Sequence, residues 1–386
     1  MAAAEFQCRV CGLATLEELP EYSELPRVTS DCKPFAAGGR LMVCRSCGAA
    51  QNPADDKWLS EIDGIYRSYE PYYQSGGVEQ AVFDATQGKP RLRSSVILDR
   101  LAEVRNLGDT GSAIDVGCGN GVLLKAFANV RPGWELYGHE LNRLHEAELK
   151  RIPGFQQLFT TPLAELPRQF DLITMMHALE HFPDPLAGIS DLKARLADGG
   201  SLFIEVPNGA ATPFDLMIAD HASHFTLHDL ARLFKRAGMG APSISDSWVT
   251  KELSAVATAN GLIVELPAEA SPSESLARVK AQLAWLRAVL DGARAAAGEK
   301  TKFGIFGSSV AAMWLYGALG DEIEFFVDED PNRRNAMLHG RPILAPEDVP
   351  DGSVVYLTLI PQVASAVANR LGRPGVEFRA PPAVGG

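Results

Sequence analysis

The chain has 386 residues, with 48 Asp+Glu against 36 Lys+Arg, a formal net charge of −12, 46% hydrophobic residues and 22% charged residues. That length gives room for two or three domains in an ordinary globular composition, and the acidic balance argues against a general electrostatic grip on nucleic acid. No apolar run reaches the ~18–20 residues of a membrane span, and the N-terminus lacks the basic and long apolar regions of a secretory leader, so a cytoplasmic location is expected.

Residues 1–55 are turn-rich and punctuated by proline. Cys8-x-x-Cys11 and Cys44-x-x-Cys47 form two knuckles, and each is followed by a glycine, Gly12 or Gly48, that eases the turn. In a cytosolic chain, paired cysteines point to a metal before a disulfide. Four thiolates suit tetrahedral Zn2+, and four protein ligands leave no open position, so the expected zinc is structural. A core this small needs such a staple. Cys32 stands alone between Asp31 and Lys33 and reads as a loop residue. Residues 56–90 carry Tyr66, Tyr69, Tyr72 and Tyr73, followed by polar Gln74-Ser-Gly-Gly-Val-Glu-Gln80. The cluster suits a sugar or another polar ring held at Tyr72 and Tyr73; equally, it suits packing of the first module on the next domain. The spacing of Val96, Leu98, Leu101 and Val104 predicts an amphipathic helix over residues 91–107.

Residues 113–121 read Ala-Ile-Asp-Val-Gly-Cys-Gly-Asn-Gly, and an apolar helical pattern starts at Val122. This is a strand ending in Asp115, a turn through Gly117, Gly119 and Gly121, and a helix N-terminus with free N–H groups. Such a loop holds a small cofactor at the carboxyl end of a parallel strand. Cys118 fills a position that wants a small side chain, and no reactivity is assigned to it. A second strand, Glu135–Glu140, ends in an acid. Phe170–His177 is a further strand, followed by Ala178–Pro185 as a loop, and Gly199–Pro207 is a turn and a fifth strand. His177 and His181 flank Glu180 in a spacing that resembles H-x-x-E-H metal motifs, but the segment is read as the loop after a strand.

Beyond residue 240, the apolar run Leu262-Ile-Val264 predicts a strand, and Ser271-Pro-Ser-Glu-Ser275 opens a helix over 271–298. Lys302–Met313 is another strand–turn–helix; strands at Glu322–Asp328 and Ser353–Leu359 and a helix over 362–371 follow. The result is a second, smaller α/β unit whose loop at Gly307, Ser308 and Ser309, with Asp328, suits a phosphate. Its alternative use is packing or dimerisation.

The form D-x-G-C-G-x-G differs from the dinucleotide fingerprint G-x-G-x-x-G. It resembles motif I of the class I S-adenosylmethionine (SAM) methyltransferases, and the later strands follow that family's order over residues 90–240. The resemblance implies that Asp115, Gly117, Gly119, Gly121 and His177 bind SAM and that Glu140 accepts its ribose hydroxyls. The order of parts over the whole chain resembles the zinc-containing sugar C-methyltransferases that act on nucleotide-linked deoxysugars. It implies an α/β fold with a zinc module (1–55), an aromatic substrate segment (56–90), a SAM methyltransferase Rossmann-like sheet (91–250) and a small Rossmann-like α/β domain (251–386). The partner would be a small molecule, a nucleotide-sugar held by Tyr72, Tyr73, Ser223, Gly307, Ser308 and Asp328. The family signature is close to Tyr-His-Glu-His-Phe-Ser, where this chain has His221-Ala-Ser-His-Phe-Thr226. His224 matches the family's general base, and Ser223 stands in place of the glutamate. Enolate formation requires a well-supported base, whereas a sugar hydroxyl needs only one imidazole with an ordinary pKa of ~6.5. Methylation at carbon and at oxygen therefore both remain open. The other readings are a zinc-guided nucleic-acid methyltransferase and a non-catalytic SAM-binding scaffold. The sequence leaves the oligomeric state open.

Overall fold

Ser112–Val116 and Leu172–Met175 are buried at every position, the pattern of strands covered on both faces, within the strands Thr110–Val116 and Phe170–Met176. In a computed structural model that describes residues 6–69, 79, 81–84, 89–299, 302–334 and 336–383, they lie side by side at the centre of a seven-stranded sheet. The sheet order is Phe155–Phe159, Gly133–His139, Thr110–Val116, Phe170–Met176, Leu196–Pro207, Glu252–Thr258, Gly240–Ser245. Glu252–Thr258 alone runs antiparallel to its neighbours. The chain leaves the two central strands in opposite directions across the sheet, which opens a crevice at their carboxyl ends. The glycine loop and the His177–His181 segment both lie at that crevice.

The position of the sixth strand corrects one expectation. The apolar run Leu262–Val264 is not part of the sheet ladder, and Leu262 is 88% exposed. Instead Glu252–Thr258 pairs with Leu196–Pro207 from Ser201↔Thr258 to Pro207↔Glu252. The central sheet thus extends past residue 250, because the long fifth strand offers seven paired positions and Leu262–Val264 gains only a bridge at Ile263.

The N-terminal module is a four-stranded sheet in the order Leu16–Glu18, Met42–Cys44, Ala50–Gln51, Ser223–His224. Its last strand comes from the middle of the chain. The following segment, expected as an aromatic linker, forms the helix Asp56–Tyr66, capped by the Asp55 carboxylate on the Trp58 N–H. Tyr72 and Tyr73 lie outside the described residues.

The third sheet has the order Met337–Leu338, Arg341–Leu344, Phe325–Val327, Lys302–Phe306, Ser353–Leu357, Val376–Arg379. The helix Pro272–Ala297 precedes it and starts with a capping box between Ser271 and Glu274. Its buried face carries Leu283, Leu286, Val289 and Leu290. One hydrophobic cluster joins these residues to Leu19, Tyr22 and Val28 of the N-terminal module and to Phe303 and Trp314 of the third sheet and its helix. The Trp314 Nε1–H donates to the Pro26 carbonyl at 2.7 Å. The two flanks therefore share a core. Among the described residues no helix is long and apolar enough to cross a membrane.

Candidate functional site

The cofactor half is built by the glycine loop. Gly117 and Gly121 have φ of +75° and +80°, and a Cβ on Gly117 would stand 3.0 Å from that of Ala178. The loop backbone can thus approach a ligand where a side chain would block it. The Gly119 N–H donates to Glu140 Oε1 at 2.6 Å, and the Leu141 N–H to Oε2 at 3.2 Å. Each carboxylate oxygen retains a lone pair, as a ribose diol requires. Asp115 is buried below the loop, where it accepts from the Thr174 hydroxyl at 2.6 Å. Burial pushes its carboxyl up to about 7. These side chains and backbones fit SAM.

His177 closes this half. Its φ is +49°, and its Nε2 meets Arg93 at 2.5 Å. Burial opposes its charge, but Glu252, Glu180 and Glu205 outweigh that and raise its pKa to about 10. Arg93, Lys251 and Glu252 line the same cavity. The glycine-loop motif does not point to them, although an acid and a lysine at the start of a strand, Lys251-Glu252, are a legible sign of a strand end turned toward a polar site.

The acceptor half centres on a chain of histidines and acids. His221 and His224 each donate from Nδ1 to Asp215, at 2.9 and 2.7 Å. Burial would raise the Asp215 pKa, but the two imidazoles hold it well below the usual carboxylate range. His181 donates from Nδ1 to the Asp220 carbonyl at 3.0 Å, and its ring meets that of His221 edge-on with centroids 4.8 Å apart. His181 and His221 line the cavity with Glu180. His224 sits behind them, 3% exposed, with no partner for its Nε2 among the described residues. Ser223 is also buried, and its hydroxyl has no partner among the described residues. The cause is strand pairing: Ser223↔Gln51 and His224↔Ala50 bind this segment to the N-terminal module and remove both side chains from the cavity. Arg9 donates to the Asn52 and Ala222 carbonyls at 2.6 Å each, and Asn52 Nδ2 donates to the His221 carbonyl at 2.7 Å. The module thereby sets the position of His221.

The cavity has a volume of about 470 Å³, within the usual range for a small-ligand site. Three parts of the chain meet around it. The N-terminal module contributes Ser30–Cys32, the central sheet contributes the residues above, and the third sheet contributes Ser309–Ala311 and Thr358–Ile360. The loop expected to hold a phosphate is displaced by one residue. Ser308 is fully buried; it donates to Asp328 at 2.6 Å and accepts from Arg333 at 2.7 Å. Arg333 also pairs with Asp328 at 3.2 Å. Gly307, Ser308 and Asp328 thus hold the turn together, while Ser309 and the N-terminus of the helix Val310–Leu319 face the cavity.

Cys8, Cys11, Cys44 and Cys47 converge on one point. Cys8 and Cys47 Sγ are 3.6 Å apart, as are Cys11 and Cys44 Sγ. A disulfide needs ~2.05 Å; tetrahedral zinc with Zn–S of ~2.3 Å places sulfurs about 3.8 Å apart. The donor set and spacing fit a zinc ion.

Comparison with known proteins matches residues 90–240 to the family described as "Methyltransferase domain". A ubiquinone biosynthesis O-methyltransferase of Pseudomonas paraeruginosa is 28% identical over 145 residues, covering 34% of this chain and 61% of that protein. Its namesake from Xanthomonas campestris pv. campestris is 36% identical over 117 residues, 27% of this chain and 46% of the relative. The chain thus spans about half to two-thirds of the length of these relatives. Among solved structures, a SAM-dependent methyltransferase from Clostridium acetobutylicum matches with a TM-score of 0.38 at 14% identity, over 53% of this chain and 99% of that one. An amino pentose methyltransferase from Micromonospora echinaspora matches with a TM-score of 0.36 at 19% identity, over 51% and 97%. With the strand order, the glycine loop and the acid at Glu140, the family match identifies residues 90–240 as a SAM-dependent methyltransferase domain of the class I, Rossmann-like fold.

Proposed function

We propose that the chain transfers the methyl group of SAM to a nucleotide-activated sugar or a related saccharide, at oxygen or carbon, in the synthesis of a surface polysaccharide or natural product. The observation that carries this reading is the convergence of three parts of the chain on one cavity. A methyltransferase domain alone would leave the acceptor open to solvent. Here the N-terminal module and the third sheet wall it in. Ser309 caps the helix Val310–Leu319 without a side-chain capping bond, so its first N–H groups are available to an anion such as a diphosphate. The zinc ion assigned to the four cysteines is structural in this reading. Sequence matches of at most about a third of the chain cannot span residues 30 to 360, so the ubiquinone-pathway relatives do not define the acceptor.

SAM supplies a methyl group on a sulfonium that is already electrophilic. The protein aligns acceptor, methyl and sulfur and accepts a proton at the wall formed by His181 and His221. For an oxygen acceptor, the hydroxyl proton leaves to that wall. The O–CH3 bond then forms as the S–CH3 bond breaks with its electron pair to sulfur, giving S-adenosylhomocysteine. His221, oriented by Asp215, takes the role that sequence matching gives to His224.

The test is methyl transfer from isotopically labelled SAM to a panel of nucleoside-diphosphate sugars, with RNA and DNA in parallel. Labelled sugar nucleotide is expected. Label in nucleic acid alone would overturn the acceptor class, and SAM binding without turnover on any acceptor would favour a scaffold.

A further inference from the structure

Glu180 and His181 are neighbours in sequence, His221 lies forty residues on, and the fold brings all three to one wall of the cavity. One ligand atom from each lies within 4.8 Å of the others. Both imidazoles are held from behind. His221 donates from Nδ1 to the Asp215 carboxylate, and His181 donates from Nδ1 to the Asp220 carbonyl. Those bonds place the free lone pair on Nε2. Among the described residues neither Nε2 has a hydrogen-bond partner. Glu180 is 1% exposed and lines the same cavity, and among the described residues neither of its carboxylate oxygens accepts a hydrogen bond. His177 Nδ1 stands 3.5 Å from one of them. That long ion pair meets one oxygen; the other has no partner among the described residues, and a buried carboxylate oxygen left so is costly unless a further cation meets it.

We propose that Glu180, His181 and His221 hold a divalent transition-metal ion at the acceptor end of the cavity. Two imidazoles and one carboxylate can occupy one face of such an ion and leave its other positions open. The nearby acids serve as supports. Asp220 already accepts from the Ser30 N–H at 2.8 Å and the Ser30 hydroxyl at 2.5 Å, and Asp215 accepts from both of its histidines. A carboxylate or carbonyl behind each histidine ligand is the usual support of a metal site. The competing group Asp215, His221 and His224 has its carboxylate occupied, and His224 lies off the cavity wall. An acceptor hydroxyl bound at an open position would ionise far more readily than a free one. In the metal-free chain the wall takes that proton through His221; with the ion bound, the ion takes over this role, the proton leaves to solvent, and the two histidines serve as ligands. That catalytic role rests on the methyl-transfer reading above; binding of the ion does not.

Cobalt(II) titrated into the full chain with its zinc in place is the test. One Co2+ per chain is expected beyond the cysteine cluster, with weak visible d–d bands and no intense near-ultraviolet thiolate absorption. Glu180→Gln and His221→Ala should abolish that band, Asp215→Asn should weaken cobalt binding about 10–100-fold, and His224→Ala should keep it. Calorimetric SAM binding by the same variants reports their folding; if His221→Ala fails that check, the isosteric Glu180→Gln decides. Absence of cobalt uptake beyond the cysteine cluster, a purely thiolate spectrum, or undiminished uptake by Glu180→Gln overturns the site. Each of these three results leaves the methyl-transfer reading intact, because no step of the titration uses turnover.

Discussion

The Gly119 N–H donates to the Glu140 carboxylate at 2.6 Å, so the glycine loop after the first strand of the central sheet is tied to the acid that ends the second. The same carboxylate is the group assigned to the ribose. Glu140→Ala removes both a loop anchor and a ligand contact. A hydrogen bond to a charged group is worth about 1.5–3 kcal/mol, so SAM affinity should fall roughly 10- to 150-fold in calorimetry. Unchanged affinity would remove Glu140 from the cofactor site.

Gly121→Ala should destabilise the same loop by another route. Its φ is +80°, and a Cβ there would stand 2.6 Å from the side chains of Leu149 and Ile152. The left-handed conformation alone costs about 1–2 kcal/mol for a residue with a Cβ. A lower melting temperature and weaker SAM binding are expected, and a melting curve that overlays the wild type would refute this account of the turn.

Asp115 predicts a pH dependence. Its carboxyl ordinarily titrates at 3.8; burial, opposed by the Thr174 hydrogen bond and aided by the charge of Glu140, raises it to about 7. Between those values the folded chain holds a proton that the unfolded chain has released. Stability from this group is full below 3.8, falls as pH rises through the window, and is lost above about 7. The contribution is on the order of a few kcal/mol. Asp115→Asn keeps a neutral side chain at all pH values, so its melting temperature should fall less than that of the wild type between pH 5 and pH 8. Parallel thermal profiles for the two proteins would contradict the assignment.

Removal of metal from the four cysteines should damage turnover more than cofactor binding. The cysteine module holds the segment of His221 through Arg9, Asn52 and the Ser223–His224 strand. Cys44→Ser, or stripping by a chelator, should lower the metal content by one zinc per chain and lower kcat, while SAM affinity changes little. An equal loss of SAM binding would show that the module supports the whole domain and not just the acceptor side.

His221→Ala should reduce kcat by about 10²–10⁴-fold, the usual contribution of a positioned proton-transfer group, with SAM affinity preserved. His224→Ala should act more weakly, through Asp215, and chiefly on stability. The reverse order in measured kcat would restore His224 to the role that sequence matching gave it.

The cofactor half was legible because its chemistry is written locally: Asp115 to Gly121 is one contiguous stretch, and Glu140 ends the next strand. The four cysteines were legible for the same reason. The acceptor half was not. His221 and His224 are three residues apart, and which of them reaches the cavity depends on pairing with Ala50 and Gln51, more than 170 residues away in sequence. Glu180 reads as a loop residue until His221 folds against it. Ser308 looks like a phosphate ligand in sequence and proves to be bonded to Asp328 and Arg333, a partner set that no short motif announces. The apolar run Leu262–Val264 outweighed Glu252–Thr258 as a strand because antiparallel insertion between Leu196–Pro207 and Gly240–Ser245 leaves no local mark.

The core shared by Leu19, Tyr22, Val28, Leu286 and Trp314 has a consequence for how the chain is made. The bond from Trp314 to Pro26 links residues 288 apart, so the first module leaves the ribosome with an apolar face that Phe214–Ile218 cover in part and that stays incomplete until the last third of the chain follows. The methyltransferase domain is in effect an insert in a body closed from both ends. Shortening the gene from either side would leave a greasy, aggregation-prone remnant instead of a smaller enzyme.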